Sequence, residues 1–136
     1  MQVFISHSSK DEVLVRRIAD VLKASGMDVW DDTREIMPGE NYAEKVAQAL
    51  KESEAMIVLL TSEGINSKWM RWEIEYALGR AAFNKRVIPV TVGDPKELTE
   101  GNVPWILRHF KTVNLPENGA SEENIRRIAD VLQEAA

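Results

Sequence analysis

Ala55-Met56-Ile57-Val58-Leu59-Leu60 is six apolar residues with no polar alternation, and its reading decides the fold. Six residues is the length of a strand rather than a helix, and a strand apolar on both sides has to be covered on both faces, as a central strand of a parallel sheet is. Upstream, Val3-Phe4-Ile5 and Met27-Asp28-Val29-Trp30 read as two further strands. The helical segment between them opens on Ser9-Lys10-Asp11-Glu12, which has the form of a capping box. It carries Leu14, Ile18, Val21 and Leu22 as its stripe and stops at Gly26. After a polar loop at 31–39, Asn41 and Glu44 can cap a helix whose apolar positions are Ala43, Val46, Ala47 and Leu50. Downstream, Ser67 opens a helix to about Ala82, residues 86–92 form a fourth strand, 110–113 a short fifth, and Ser121 begins a closing helix. Strands alternating with amphipathic helices predict a doubly wound α/β sheet with helices on both faces, a single domain over 1–136. Pro89 is the discordant residue. It cannot donate to a ladder, so it predicts a strand end, a bulge or a locally unpaired stretch.

Composition removes several classes of function. The chain has 136 residues, enough for one hydrophobic core, and no cysteine, so it has no disulfides, no thiolate nucleophile and no cysteine-based zinc site. His7 and His109 lack ligand spacing, and no metal is expected. A net charge of −5 without a cationic cluster argues against nucleic acid. No apolar run reaches membrane-spanning length and no basic, apolar leader precedes Val3, so a cytoplasmic location away from the membrane is the expectation.

Arg-Arg-Ile-Ala-Asp-Val-Leu occurs at 16–22 and again at 126–132. The copies are far apart with different flanks, which marks two amphipathic helices meeting the same sheet-packing demand rather than a repeat protein.

The chain lacks G-x-G-x-x-G, G-x-x-x-x-G-K-[ST] and G-x-S-x-G. What remains is polar clusters after the strands, at the carboxyl edge where open α/β sheets bind ligands: Ser6-His7-Ser8, Asp31-Asp32-Thr33-Arg34, and Thr61 to Ser67 leading into Trp69 and Glu73. On the helix opened by Ser67, Met70, Ile74, Ala77 and Ala81 make the core stripe, with Trp69, Trp72 and Tyr76 beside it. Glu73 lies on the border, one turn after Trp69, with no basic residue at i±3 or i±4. Its head either reaches water or a distant cation, or is held for function.

Val-Phe-Ile-Ser-His-Ser-Ser-Lys-Asp at 3–11, the Trp-Asp-Asp…Met-Pro-Gly-Glu stretch at 30–40, and Ser67-Lys68-Trp69-Met70-Arg71-Trp72-Glu73 resemble, in order and spacing, the sequence boxes of Toll/interleukin receptor (TIR) domains. The resemblance spans nearly the whole chain and implies a five-stranded, parallel, flavodoxin-like sheet. In the enzymatic branch of that family a glutamate four residues after the helix-entry tryptophan is catalytic, and Glu73 holds that position. Met70 stands where plant members often have cysteine, which favours a bacterial-type domain. The resemblance further implies that Ser6, His7, Ser8, Trp30, Arg34, Asn41, Ser67 and Trp69 bind NAD+, and that the loop with Asp32, Ile36, Pro38 and Gly39 serves self-association. NAD+ is then a substrate, with no separate cofactor, and the setting is immune or stress signalling, antiphage defence included.

Each of these residues also has a plain structural reading. Ser6 and Ser8 suit a cap or turn, Trp30 a core position, His7 the surface, Arg34 a solvent pair with Glu35 or Asp32, and Pro38-Gly39 a turn. Two other functions fit the same pattern: a non-enzymatic TIR–TIR interaction module, and a receiver-like switch. The second lacks its phosphoacceptor aspartate after the third strand, where Leu60 is followed by Thr61-Ser62.

Overall fold

The computed structural model describes residues 2–7, 11–30, 38–39, 41–61, 87–93, 112–115 and 122–135. In chain order these form β1 (Gln2–Ser6), α1 (Glu12–Ala24), β2 (Asp28–Trp30), α2 (Tyr42–Glu52), β3 (Ala55–Leu60), β4 (Val87–Val92), β5 (Val113–Leu115) and α3 (Glu122–Ala135). The five strands make one sheet in the order β2-β1-β3-β4-β5, with every pairing parallel. This is the doubly wound, flavodoxin-like arrangement the sequence predicts. Every residue of β3 is buried, as its unbroken apolar run requires.

The two faces separate by strand alternation. Val3, Ile5, Val29, Ile57 and Val90 share a core with Val15, Ile18 and Leu22 of α1 and Ile125, Ile128 and Leu132 of α3. Phe4, Met56, Val58 and Leu60 alternate to the opposite face, and α2 contributes Val46, Ala49 and Leu50 to the buried set. On α1 the buried arc is Val15, Ile18, Ala19 and Leu22, rotated from the expected stripe; Leu14 and Val21 only flank it. The reason is the neighbour: α3 packs against α1, so the arc is centred between sheet and helix rather than on the sheet alone. A similar shift on α2 buries Ala49 and leaves Ala47 half-exposed.

The helix ends follow the residues. At the end of α1, Met27 N–H donates to Leu22 C=O at 3.1 Å and Gly26 N–H to Lys23 C=O at 3.0 Å, the double bond of a Schellman turn, with Gly26 at φ +90 where side chains are disfavoured. The start of α1 departs from expectation. Its N-cap is Asp11 rather than Ser9, and the Asp11 side chain makes no capping bond. Asn41 does cap α2, accepting from Glu44 N–H at 3.2 Å. At the other end of α2, Ser53 Oγ donates to Ala49 C=O at 2.6 Å and accepts from Gln2 Nε2 at 3.0 Å. This ties the start of β3 to β1 at the amino edge.

Pro89 sits opposite Val58 of β3, while pairing with β5 begins only at Val90. At Pro89 the strand therefore has one neighbour, and a missing donor on the other side costs no ladder bond. The fifth strand lies at 113–115 and not at the expected 110–113, of which only 112–113 fall within the described residues. Its alternation buries Val113 and Leu115, and the residue between them adds polar bonds to the register. Asn114 Nδ2 donates to Thr91 Oγ1 at 2.9 Å and to Gly93 C=O at 3.1 Å, and Gly93 N–H donates to Leu115 C=O at 2.9 Å. The helix expected from Ser67 lies outside the described residues.

The duplicated heptapeptide occupies α1 and α3, which touch, and its burial is the same position by position: Ile18, Ala19 and Leu22 are buried as Ile128, Ala129 and Leu132 are, while Arg16, Arg17 and Asp20 are exposed as Arg126, Arg127 and Asp130 are. Ile18→Ala and Ile128→Ala are accordingly expected to lower the unfolding free energy by similar amounts, about 2–5 kcal/mol each, in urea titrations. A difference between them of more than about 2 kcal/mol would show that the two copies sit in unlike packing.

Candidate functional site

Strand order places the topological switch between β1 and β3. From β1 the chain crosses to β2 on one side, and beyond β3 it next pairs as β4 on the other. Loops that diverge in this way leave a crevice at the carboxyl edge of the sheet, where ligands of open α/β folds bind. Ser6, the last residue of β1, stands there fully buried and opposite Val58 in the ladder. His7 follows, 7% exposed, with Nδ1 at 3.2 Å from Ile5 C=O, so it is no free surface residue. Thr61, 8% exposed, is the first residue beyond β3.

Trp30 ends the neighbouring strand β2 and stacks on Phe4, with ring centroids 5.1 Å apart and planes 11° from parallel. Phe4 and Trp30 are register partners, so the stack is a cross-strand pair on the α2 face. Trp30 remains half-buried. One ring face is committed to the core, which satisfies the structural reading, and the partial exposure leaves surface at the carboxyl edge for a planar ligand. A cavity of about 540 Å³ runs along β2 from Gln2 past Lys23 and Asp28 to Trp30. It follows the sheet border and includes none of Ser6, His7 and Thr61, so it is distinct from the switch point.

Asn41 is exposed and spends its side-chain oxygen on the α2 cap, leaving its amide nitrogen as the group available to a ligand. Pro38 and Gly39 form an exposed turn with Gly39 at φ +89. Ser8, Arg34, Ser67, Trp69, Glu73, Asp32 and Ile36 lie outside the described residues. The structure thus brings Ser6, His7 and Trp30 to one edge, with Asn41 at the start of a helix covering the Trp30 face. Among the described residues no three His, Asp or Glu side chains are grouped to hold a metal ion, and no described helix is long and apolar enough to cross a membrane.

One contact at this edge has no local signal in the sequence. Thr61 Oγ1 donates to Asp11 Oδ2 at 2.8 Å, across 50 positions of chain. An aspartate placed to cap a helix contributes about 0.5–2 kcal/mol there. Here the Asp11 carboxylate accepts from the far side of the switch point instead.

The likeness to known proteins has the same extent as the fold. Over 131 residues, 93% of this chain, it is 26% identical to a protein of Methanobrevibacter olleyae named probable 2′ cyclic ADP-D-ribose synthase TcpO. Over 90 residues, 65% of the chain, it is 30% identical to 2′ cyclic ADP-D-ribose synthase AbTIR of Acinetobacter baumannii. The matches span 38% and 34% of those proteins, so the chain corresponds to little more than a third of these curated relatives. Among solved structures, a metazoan TIR-STING receptor from C. gigas in complex with 2′,3′-cGAMP superposes with a TM-score of 0.75 at 23% identity, over 98% of this chain and 38% of that one. The TIR domain family model matches residues 3–130, from the first strand into the last helix, and the chain belongs to the TIR domain family.

Proposed function

We propose that this TIR domain cleaves the nicotinamide–ribose bond of NAD+, with Glu73 as the catalytic carboxylate, in immune or stress signalling. The observation that carries the reading is the likeness, over 93% of the chain, to a relative named as a cyclic ADP-D-ribose synthase. Relatives named NAD(+) hydrolase point the same way, among them TcpC of Escherichia coli at 29% identity over 64% of the chain. Buried Ser6 at the end of β1, His7 directly after it and the stacked Trp30 at the end of β2 support it, since they place polar and aromatic groups at one sheet edge.

The chemistry requires little of the protein. Nicotinamide in NAD+ is already cationic, so when the C1′–N bond breaks the electron pair leaves with a neutral base and no general acid is needed. Positive charge then develops on the ribose as an oxocarbenium ion, and a carboxylate already in place stabilises it without reorganising. Water adding to C1′ and losing a proton gives ADP-ribose; a hydroxyl or adenine nitrogen of the same molecule adding there gives a cyclic product. NAD+ is consumed as substrate, and no separate cofactor enters. Ser6, His7, Ser8, Trp30, Arg34, Asn41, Ser67 and Trp69 are the proposed contacts, and the loop with Asp32, Ile36, Pro38 and Gly39 the proposed assembly element.

Glu73→Gln is expected to lower nicotinamide release about 100-fold or more, with the melting transition close to that of the parent protein. The assay is incubation with NAD+ and identification of nicotinamide and the second product by mass. Turnover in the variant equal to the parent's would remove Glu73 from the site, and failure to fold would give it a structural role.

Assembly through the 31–39 loop is expected to make specific activity rise with protein concentration. Gly39 sits at φ +89 and a Cβ there meets nothing within 4 Å, so the constraint at this turn is backbone conformation and not space. Gly39→Pro forces φ to about −65° and is expected to flatten the concentration dependence, whereas Gly39→Asn, which tolerates positive φ, retains it. Specific activity independent of concentration in the parent protein, with full activity in Gly39→Pro, would show a site complete in one molecule.

A further inference from the structure

We propose that the outer edge of β2 pairs with the same edge of a second copy of this chain, antiparallel and centred on Val29. The pairing concerns assembly alone and is independent of the cleavage reading and of the 31–39 loop. β2 is the terminal strand of the sheet, with β1 as its neighbour on the inner side. Which of its main-chain groups face outward follows from one bond. Gln2 C=O accepts from Glu54 N–H at 2.9 Å, at the start of β3, so this carbonyl points away from β2. Main-chain groups alternate sides along a strand, and Val3 is therefore the β1 residue turned toward β2. Val3 is in register with Val29, so in a parallel ladder its N–H and C=O reach Asp28 and Trp30. The N–H and C=O of Val29 are left on the open edge.

The groove along this edge selects the occupant. Val29 lines the cavity of about 540 Å³ although the residue is only 7% exposed, as main-chain atoms facing a groove would. One residue presenting both a donor and an acceptor is the hydrogen-bonded position of an antiparallel pair, where two opposed residues exchange both bonds. Val29 of a second copy meets this by symmetry, with a two-fold axis between the two valines and perpendicular to the sheet. The same register sets Asp28 directly opposite Trp30 of the second copy, twice, with Cβ atoms about 4.5–5.5 Å apart. Among the described residues neither the Asp28 carboxylate nor the Trp30 indole N–H has a hydrogen-bond partner, and the indole donates where the carboxylate accepts. An edge aspartate prevents pairing when it meets a like charge; opposite an indole donor it favours this register over others. Lys23 lines the same groove and brings a cation to the side where that ring arrives.

The test is sedimentation equilibrium of the whole chain over about a thousandfold range of concentration, together with hydrogen exchange at the Val29 amide. The parent protein is expected to pass from monomer to dimer, and exchange at Val29 to slow as it does. Val29→Pro removes the outward N–H without removing a bond to β1, as proline on an open edge does, and is expected to raise the dimer dissociation constant about 10- to 100-fold. Val29→Ala loses side-chain packing but keeps both main-chain groups, and is expected within about threefold of the parent per folded molecule. A parent protein that is monomeric throughout, or dimerisation of folded Val29→Pro equal to the parent's, overturns the pairing. Association lost in folded Gly39→Pro yet retained in Val29→Pro assigns the contact to the loop and overturns it too. If Val29→Pro does not fold, the parent's Val29 amide decides: protection that rises with concentration supports the pairing, and protection independent of concentration overturns it.

Discussion

Burial of β3 on both faces is the constraint from which the rest of the architecture follows. A strand with no polar side has to be covered from above and below, and a parallel sheet achieves this only through crossover segments long enough to hold helices. Six consecutive buried residues at Ala55 to Leu60 therefore require a sheet with pairing partners on both sides of β3 and helices over each face. They also locate the switch point, because β1 takes one flank of β3 and β4 the other. The crevice at the carboxyl edge is a by-product of satisfying that one apolar run.

What the sequence made legible was whatever apolar periodicity or turn chemistry encodes locally. The run at 55–60 matches β3 residue for residue, Gly26 stops α1 in the turn its left-handed φ permits, and Asn41 caps α2. Misplacements arose where a distant partner decides. The buried arc of α1 is turned from its sheet-facing stripe because α3, more than a hundred positions later, lies beside it. The short β5 is expected at 110–113 and lies at 113–115, where the Asn114 amide reaches Thr91 and Gly93 between buried Val113 and Leu115. An asparagine inside a strand reads as a turn signal until the strand it bonds to is known.

At the candidate site the same division holds. Polar residues directly after apolar strands marked the carboxyl edge, and Ser6, His7 and Trp30 are indeed there. Spacing could not show that Ser6 is a buried strand end, nor that Trp30 divides itself between the Phe4 ring and the edge of the sheet. The bond between Asp11 and Thr61 was invisible for a more basic reason: each residue has a sufficient local explanation, one as a helix cap and the other as the first polar residue past a strand. Long-range hydrogen bonds between residues that look locally satisfied carry no periodic signature.

The adjacency of α1 and α3 has a consequence for synthesis. The apolar arc of α1 leaves the ribosome before the helix that covers its flank, which carries Ile125, Ile128 and Leu132 and emerges on the order of 5–20 s later at about 5–20 residues per second. Throughout that interval Val15, Ile18 and Leu22 have at most part of their final cover, and a second nascent copy presents the same Arg-Arg-Ile-Ala-Asp-Val-Leu surface. Because every copy carries the same α1–α3 contact, α3 of one chain fits beside α1 of another as well as beside its own. Crowded polysomes are therefore the setting in which this fold is exposed to helix exchange between neighbouring chains.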